Sequence, residues 1–495
     1  MQHLTMQHLI RYGFPTALAM LGLAACADVP TPTDLSVPTV PTASVSASEN
    51  GKHIVVFTGD DAPADFEARV SARGGSVDEI LTGAGLAIVS GLTAESAADL
   101  ASTPGVSAVA ADRIIGPDQS DESSVADAAE LVAAEAPTDA LATSSTLSRP
   151  LPDKAKYYAR QWNLREAIKA DVAWHAGYVG SSDVNVFILD TGVDYLVPDL
   201  VGRVDLNRSV SFVPASSDEY ARAAAKGRYA FTDFHSHGTA VAALIASNAD
   251  SLAGVTQKST LVSVKVLDRS RTGLVTTFLR GISYAANHGA DLVHLSLAYP
   301  GFAKHDSTGL VSAINRAINY AHRQGAVVVA AAGNNSVDID HNQDNWRFCD
   351  APHVICVSAT GPTSAGGVNG PWANVDNVAP YTNFGRSVIS VAGPGGNNAP
   401  NLKVWLTCSR EGLVRTGNPK PCAEGKRLWE SFGTTFGAAV TSGLAALLVS
   451  RMGHGRPDQI RAVIEQSADD LGQAGTDPYY GKGRINVARA MAMLK

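Results

Sequence analysis

The sequence predicts an α/β protein built on a doubly wound parallel sheet, preceded by a small α+β domain of the ferredoxin-like kind. Three observations predict this fold class. Apolar runs alternate with helix-length segments from residue 157 to residue 495, and short strand and helix signals alternate within residues 51–116. Between them, residues 117–156 are rich in Ala, Ser, Thr, Asp and Glu. Such a composition is typical of a linker, so we expect two folded regions.

The first residues are predicted to be a targeting segment. Arg11 precedes an apolar run from Tyr12 to Leu23 that is too short for a comfortable membrane span. The run ends in Leu-Ala-Ala-Cys26, which resembles a bacterial lipobox. We interpret residues 1–26 as a signal peptide with lipidation at Cys26, and residues 27–50, rich in Pro, Thr, Ser and Val, as a tether. The protein is then exported, as a membrane-anchored lipoprotein (periplasmic or at the cell surface), or is secreted after an ordinary signal-peptide cleavage.

Residues 51–116 carry the signals of a small α+β domain. Apolar runs with β-branched residues predict strands, and apolar residues spaced i, i+4, together with a capping Thr93, predict helices. The predicted strands are 53–58, 85–89 and 105–109, and the predicted helices are 63–73 and 93–102. This βαββαβ-like order fits a ferredoxin-like sandwich.

The large domain, residues 157–495, is predicted from continuous apolar runs of strand length. The run Val184–Leu189 lies between Asp183 and Asp190, as in a parallel strand buried on both faces. Similar runs occupy 261–267, 292–297, 327–331 and 354–357, and helical segments lie at 239–247, 274–288 and 310–324. Because strands alternate with helices, the crossovers should be right-handed and reactive groups should gather at the carboxyl ends of the strands.

Four residues with useful chemistry lie at the ends of these strands or at the starts of helices. Asp190 closes the first apolar run, His237 precedes Gly-Thr at a helix start, Asn334 ends Ala-Gly-Asn after a strand, and Thr435 lies in Gly-Thr-Thr-Phe-Gly before a long apolar helix. Each motif alone also fits ordinary turn or capping chemistry. Their combination and their order along the chain are far more specific.

Taken together, these motifs resemble those of the subtilase family (subtilisin-like serine proteases, peptidase S8). The order is the family's, with Asp first, His second, the oxyanion Asn third and the nucleophile last. The segment Ser296-Leu297-Ala298 resembles the strand that lines the family's substrate pocket, which implies that these three residues bind substrate. The family's nucleophile motif reads Gly-Thr-Ser, then Met or Phe, then Ala. Thr435 stands where the catalytic Ser is expected.

The resemblance implies a serine-type endopeptidase that acts on protein or peptide substrates. His237 would be the general base, Asp190 would orient it, Thr435 would be the nucleophile and Asn334 would stabilise the oxyanion. Thr435 keeps the hydroxyl, but its methyl group must fit between the base and the substrate carbonyl, so we expect strongly reduced turnover. The alternative is a catalytically impaired pseudoprotease that binds peptides.

Residues 51–116 resemble the inhibitory prodomain of the same family (inhibitor I9-like). The segments Ile54–Phe57 and Pro104–Val106, with Asp112 near the end, carry this resemblance. It implies that the small domain is an intramolecular inhibitor of the catalytic domain, residues 157–495.

Charge and composition argue against other ligands. The net charge of −8 and the lack of a Lys/Arg-rich run argue against nucleic acid, and contact with a membrane is expected only through the lipid at Cys26. The first strand of the large domain has no GxGxxG loop after it, and no Walker motif occurs. We identify no cofactor and assign no metal ligand, because no CxxC or Cys/His cluster indicates a zinc site. Calcium is suggested only by the family resemblance.

Four cysteines remain when Cys26 is set aside. An even number in an exported chain suggests two disulfides. We favour the sequence-local pairs Cys349–Cys356 and Cys408–Cys422 among the three connectivities, and four buried thiols are the alternative.

Overall fold

The computed structural model describes residues 50–116, 150–296, 308–342, 345–412, 422 and 427–494. The predicted signal peptide with Cys26, residues 27–49 of the tether, and residues 117–149 of the linker lie outside the described residues. The same holds for Leu297 and Ala298, two of the three predicted substrate-binding residues.

A four-stranded antiparallel sheet carries two helices on one face in the small domain. Its elements are β1 (Lys52–Phe57), α1 (Phe66–Ser71), β2 (Ser76–Leu81), β3 (Leu86–Ser90), α2 (Ala94–Ala101) and β4 (Val106–Ala111). The strand order β2-β3-β1-β4 is that of a ferredoxin-like sandwich, as the sequence predicts. The sequence prediction missed β2, because Leu81 is its only buried residue and its apolar signal is therefore weak.

The larger part of the chain adds strands and helices in alternation. The strands are β5 (Ile114–Ile115), β6 (Asn185–Asp190), β7 (Val210–Ser211), β8 (Thr260–Lys265), β9 (Gly273–Leu274), β10 (Leu292–Leu295), β11 (Val327–Ala331), β12 (Val354–Thr360), β13 (Ser364–Ala365), β14 (Trp372–Ala373), β15 (Val391–Pro394), β16 (Val404–Thr407) and β17 (Leu428–Ser431). The α-helices are α3 (Ala170–His175), α4 (Asp218–Ala225), α5 (His237–Ile245), α6 (Val275–Asn287), α7 (Thr308–Arg323), α8 (Thr434–Met452), α9 (Pro457–Ser467) and α10 (Val487–Ala492).

Seven of these strands form one parallel sheet in the order β15-β12-β11-β10-β6-β8-β7. Alternate residues of β6 enter different cores. Val186 and Ile188 belong to the core that contains α5 and α8, whereas Phe187 and Leu189 belong to the core that contains α6 and α7. The sheet is therefore covered by helices on both faces, which confirms the predicted doubly wound fold.

The small domain packs on the helical layer formed by α6 and α7. In β1, Val55 and Phe57 belong to the core beneath α1 and α2, whereas Ile54 and Val56 belong to the core that contains α7. At the edge of this contact, Arg280 of α6 forms an ion pair with Glu79, with 2.6 Å between Nε and Oε2. One sheet face of the small domain is thus buried by the large domain.

Both predicted disulfides are present, Cys349–Cys356 and Cys408–Cys422. Among the described residues, α8 alone is long and apolar enough to cross a membrane. Most of α8 is buried within the protein, as expected for the core helix of a globular domain.

Candidate active site

The carboxyl end of β6 and the amino end of α5 bring Asp190 and His237 into contact. Nδ1 of His237 lies 2.8 Å from Oδ1 and 2.9 Å from Oδ2 of Asp190. Asp190 is fully buried and His237 is 7% exposed. No side chain could replace Gly238, because a Cβ there would lie 2.1 Å from the carbonyl oxygen of Gly192. The close approach of the two chain segments therefore depends on this glycine.

Electrostatics favour the ionised form of Asp190. Burial by itself would raise the pKa of this carboxyl group, but the neighbouring His237 ring and a 2.6 Å hydrogen bond from the Thr191 N–H bring the pKa below its ordinary value. A carboxylate that stays ionised can accept a hydrogen bond from the protonated Nδ1 and so hold the imidazole in one tautomer.

A second buried carboxylate, Asp233, organises the start of α5. Its oxygens accept hydrogen bonds from the N–H groups of His235, Ser236 and Thr239 and from the hydroxyls of Thr191 and Thr239. Thr191 in turn accepts a 3.0 Å hydrogen bond from the Gly238 N–H. Asp233 therefore fixes the turn that carries His237 and links it to the residue that follows Asp190. Sequence reasoning missed Asp233, because a lone Asp in a polar segment has no distinguishing pattern.

Asn334 lies beyond the end of β11 and contacts the amino end of α8. Its Oδ1 accepts hydrogen bonds from the Thr434 N–H at 2.9 Å and from the Thr434 hydroxyl at 3.0 Å. Thr434 also accepts a hydrogen bond from the Gly333 N–H at 3.0 Å. Thr434 thus sets the orientation of the Asn334 side-chain amide. A Cβ atom on Gly433 would lie 3.5 Å from the donor Nδ2 of Asn334. The backbone of Gly433 (φ 154°, ψ 155°) is one that essentially only glycine adopts.

Thr435 is the second residue of α8 and is 5% exposed. Within the described residues its hydroxyl makes no hydrogen bond, whereas Thr441 on the same helix donates its hydroxyl to the carbonyl oxygen of Gly437 at 2.8 Å. The start of α8 lies beside the imidazole, since the rings of His237 and Phe436 are 6.4 Å apart. The structure therefore brings this hydroxyl-bearing turn to the same edge of the sheet as Asp190 and His237.

A buried hydrogen-bond chain approaches Thr435 from beneath. Nδ1 of His294, in β10, lies 2.8 Å from the Ser442 hydroxyl, and its Nε2 contacts the Ser296 hydroxyl, which lies 3.4 Å from the carbonyl oxygen of Thr435. Burial lowers the pKa of His294 to about 3, although the Asp190 carboxylate acts in the opposite direction. A neutral ring satisfies every member of the chain when Ser442 donates to Nδ1, Nε2 donates to Ser296 and Ser296 donates to Thr435.

Ser296 is thus the one predicted substrate-binding residue that the structure describes, and its hydroxyl faces inward. It is 3% exposed and contacts His294 and Thr435. Sequence reasoning missed His294, although a lone histidine in the apolar run Leu292–Leu295 was the available signal.

The end of the small domain contacts the amino end of α6. Asp112 is fully buried and accepts hydrogen bonds from the Thr276 N–H at 3.1 Å and the Thr276 hydroxyl at 2.6 Å. Immediately after it, β5 pairs in antiparallel register with β9, with Ile114 opposite Leu274 and Ile115 opposite Gly273. Chain from the small domain therefore extends a strand edge of the large domain.

The chain is similar to known proteins in sequence and in structure. The model of the subtilase family matches residues 181–483. The chain is 31% identical over 344 residues to a thermophilic serine proteinase of Bacillus sp. (strain AK1), over 69% of each chain. It is 29% identical over 351 residues to thermitase of Thermoactinomyces vulgaris, over 69% of this chain and 99% of thermitase. The epidermin leader peptide processing serine protease of Staphylococcus aureus shares the fold, with a TM-score of 0.67 at 18% identity over 89% of this chain and 98% of that one.

Proposed function

Because the chain belongs to the subtilase family of serine-type endopeptidases, we propose that it hydrolyses peptide bonds by means of Asp190, His237 and Thr435. The observation that carries this proposal is the pair of hydrogen bonds between Nδ1 of His237 and the Asp190 carboxylate, beside the amino end of α8. Protein or peptide substrates are the corresponding ligands.

The proposed reaction is acyl transfer in two steps. Nε2 of His237 accepts the proton of the Thr435 hydroxyl while the oxygen bonds to the substrate's carbonyl carbon. Asn334 and the N–H of residue 435 stabilise the resulting oxyanion. His237 then gives the proton to the leaving amine as the C–N bond breaks, and water hydrolyses the acyl-enzyme ester. Apart from that water molecule and the substrate, every group in this mechanism belongs to the chain itself. Calcium stays a prediction from family resemblance.

The methyl group of Thr435 should slow this reaction. It adds bulk on Cβ and restricts χ1, and a displacement of about 1 Å from the reactive geometry costs about 10²-fold in rate. The Thr435 hydroxyl itself favours residual turnover, because it donates no hydrogen bond to a backbone carbonyl among the described residues. The Thr441 hydroxyl, in contrast, donates to the carbonyl oxygen of Gly437.

A peptide-binding pseudoprotease is the second candidate function. The observation that favours it is again Thr435, which stands where the family pattern has the nucleophilic Ser. In this case the cleft binds peptides, and Asp190 and His237 retain their arrangement without catalysing hydrolysis.

In this proposal the small domain holds the enzyme as an inhibited precursor. Its support is the Asp112 contact with Thr276 and the strand pairing of Ile114–Ile115 with Gly273–Leu274. Addition of an extended segment to a strand edge is a common way to bind peptides, so this segment would compete with substrate. The covalent linker keeps its effective concentration in about the millimolar range, which makes even modest affinity sufficient.

Export completes the proposal. The apolar run that ends at Leu23 and the lipobox-like Leu-Ala-Ala-Cys26 support a signal peptide, with lipidation at Cys26 and anchoring to a membrane by that lipid. The tether, residues 27–50, would then separate the folded domains from the membrane surface.

The deciding experiment measures casein hydrolysis by the purified mature catalytic domain and two variants at position 435. We expect Thr435→Ser to raise kcat by about 10²-fold, because it removes the methyl group and keeps the hydroxyl. We expect Thr435→Ala to reduce activity to the background rate. Thr441→Ser is the matched control, because it removes a methyl group from the same helix at a hydroxyl that bonds to Gly437.

The outcomes separate the two candidate functions. Wild-type activity above the Thr435→Ala rate supports a slow peptidase. Activity only in Thr435→Ser, with peptide binding by the wild type, supports the pseudoprotease. A Thr435→Ala variant as active as the wild type would show that another group is the nucleophile.

A further inference from the structure

Two histidines and an aspartate from three separate elements meet at the edge of the sheet formed by the amino ends of its strands, opposite the candidate active site. His322 is in the last turn of α7, His353 immediately precedes β12, and Asp458 is the second residue of α9. The amino ends of the parallel strands β11 and β12 lie on this side, whereas Asp190 and Asn334 lie at the carboxyl ends of their strands. The group therefore has no part in the proposed peptidase chemistry.

The three side chains are close enough to share one ion. Nε2 of His322 lies 3.0 Å from Oδ1 of Asp458, and the rings of His322 and His353 lie face to face with centroids 3.8 Å apart. One ligand atom from each residue lies within 4.8 Å of the other two. His353 has a positive φ of 65°, which is uncommon for a residue with a side chain. The turn before β12 thus holds an unfavourable backbone conformation at the residue whose ring meets His322.

We propose that His322, His353 and Asp458 form a binding site for one divalent transition-metal ion, with zinc as the best match. Two imidazole nitrogens and a carboxylate oxygen are ligands that zinc prefers, whereas calcium and magnesium prefer oxygen ligands alone. Bonds of about 2.0–2.2 Å in a tetrahedral site place ligand atoms roughly 3.3 Å apart. The His322–Asp458 pair is already near that spacing.

His353 must reorient to complete the site, because the stacked rings direct their nitrogen lone pairs into nearly parallel planes. This side chain is exposed, so rotation about its side-chain bonds can bring a ring nitrogen closer without disturbing the core. Asp458 is also exposed, which leaves room for water as a fourth ligand. The nearby Arg461 donates from Nε to Oε1 of Glu465 at 2.7 Å and from Nη1 to the carbonyl oxygen of Val354 at 3.3 Å, so neither hydrogen bond uses a proposed ligand atom.

The ion would join parts of the chain that are far apart in sequence. It would connect the end of α7, the start of β12 and the start of α9, and so favour the folded state over the unfolded chain. No closely spaced set of Cys and His residues marks these three as metal ligands in the sequence. Positions 322, 353 and 458 come together only in the folded chain.

The test is zinc binding by the full-length, tag-free protein after removal of metals with EDTA and dialysis. We expect isothermal titration with zinc chloride to show one more bound equivalent in the wild type than in His322→Gln and His353→Gln. We also expect zinc to raise the melting temperature of the wild type by several degrees, and to have little effect on these variants. Cobalt(II), as a spectroscopic substitute, should give a visible absorption band that both variants lose.

His288→Gln is the matched control, because His288 is an exposed histidine that also stacks on a ring, that of Tyr284, at 3.8 Å. It should bind zinc as the wild type does. Equal zinc stoichiometry and equal thermal shifts in the wild type, His353→Gln and His288→Gln would overturn the proposal and leave only a His322–Asp458 ion pair with a stacked neighbour. Circular dichroism of each metal-free variant establishes that it is folded.

Discussion

His294 connects the candidate nucleophile to the middle of its own helix. Its two ring nitrogens contact hydroxyls on opposite sides, Ser296 toward Thr435 and Ser442 further along α8. A protonated ring would turn both nitrogens into donors and would place a positive charge in a fully buried position. The position of the Thr435 carbonyl therefore depends on a neutral imidazole.

This requirement predicts acid-sensitive stability. The pKa of His294 is about 3 in the folded protein and near 6.5 in the unfolded chain, so between these values the unfolded state binds more protons. The contribution of His294 to stability is therefore complete above pH 6.5 and is lost as the pH falls toward 3. At pH 4.5 the loss should be about 2–3 kcal/mol.

Urea unfolding of the wild type and His294→Asn at pH 7.5 and pH 4.5 checks this prediction. The variant can be less stable at both pH values, but its loss of stability between them should be smaller by the stated amount. His288→Asn, at an exposed histidine, should show the wild-type loss. If His294→Asn loses as much stability on acidification as the wild type, the depressed pKa is wrong.

Three helices begin at this edge of the sheet, and the amino end of each is capped by a side chain from outside the helix. The first N–H groups of a helix have no partner within the helix and need acceptors from elsewhere. Asp233 serves α5, Asp112 serves α6 and Asn334 serves α8. Asp112 and Asn334 come from distant parts of the chain, and Asp233 is anchored to Thr191 across the sheet edge, so the same contacts that stabilise the helices also align them.

For α6, this capping contact predicts that the small domain inhibits the enzyme through Asp112. Residues 51–116, expressed alone, should inhibit the Thr435→Ser catalytic domain at micromolar concentration. Asp112→Ala should weaken inhibition by about 100-fold or more, because it removes two hydrogen bonds to a charged group and each is worth about 1.5–3 kcal/mol. The inhibition constant from peptidase assays, with binding measured by calorimetry, tests both statements.

Asp99→Ala is the control for that series. Asp99 lies on the exposed surface of the small domain and forms an ion pair with Arg73, away from α6. If the wild-type fragment neither inhibits nor binds the catalytic domain, the inhibitor assignment is refuted. If Asp112→Ala inhibits as strongly as the wild-type fragment, the contact with α6 does not contribute to inhibition.

For the whole molecule, sequence patterns were sufficient wherever one local signal determines a structure. The run Val184–Leu189 is apolar throughout because its strand is buried on both faces, and Asp190 and His237 were recognisable from motifs at element ends. Asp233, His294 and the capping role of Asp112 could not be predicted in this way. Each acts through partners that only the tertiary fold brings near, so no spacing along the chain marks it.

Localisation is also a property of the whole chain, and it can be tested at Cys26. We expect the full-length protein to incorporate radiolabelled palmitate and to fractionate with membranes, because acyl chains at the mature amino terminus anchor it. Cys26→Ser should be unlabelled and soluble. Cys408→Ser keeps the lipobox-like segment and should still be labelled. A wild-type protein without label would exclude the lipoprotein assignment.

The parallel arrangement of the seven-stranded sheet has a consequence for the order of events during folding. Each parallel pairing must close a long loop, as when Val186 meets both Leu261 and Leu292. Contacts of such high sequence separation make folding slow, and residues 190, 237, 334 and 435 come together only after most of the chain has been synthesised. If these four residues form the active site, we expect no proteolytic activity from nascent chains that end before α8, whatever the chemistry at position 435.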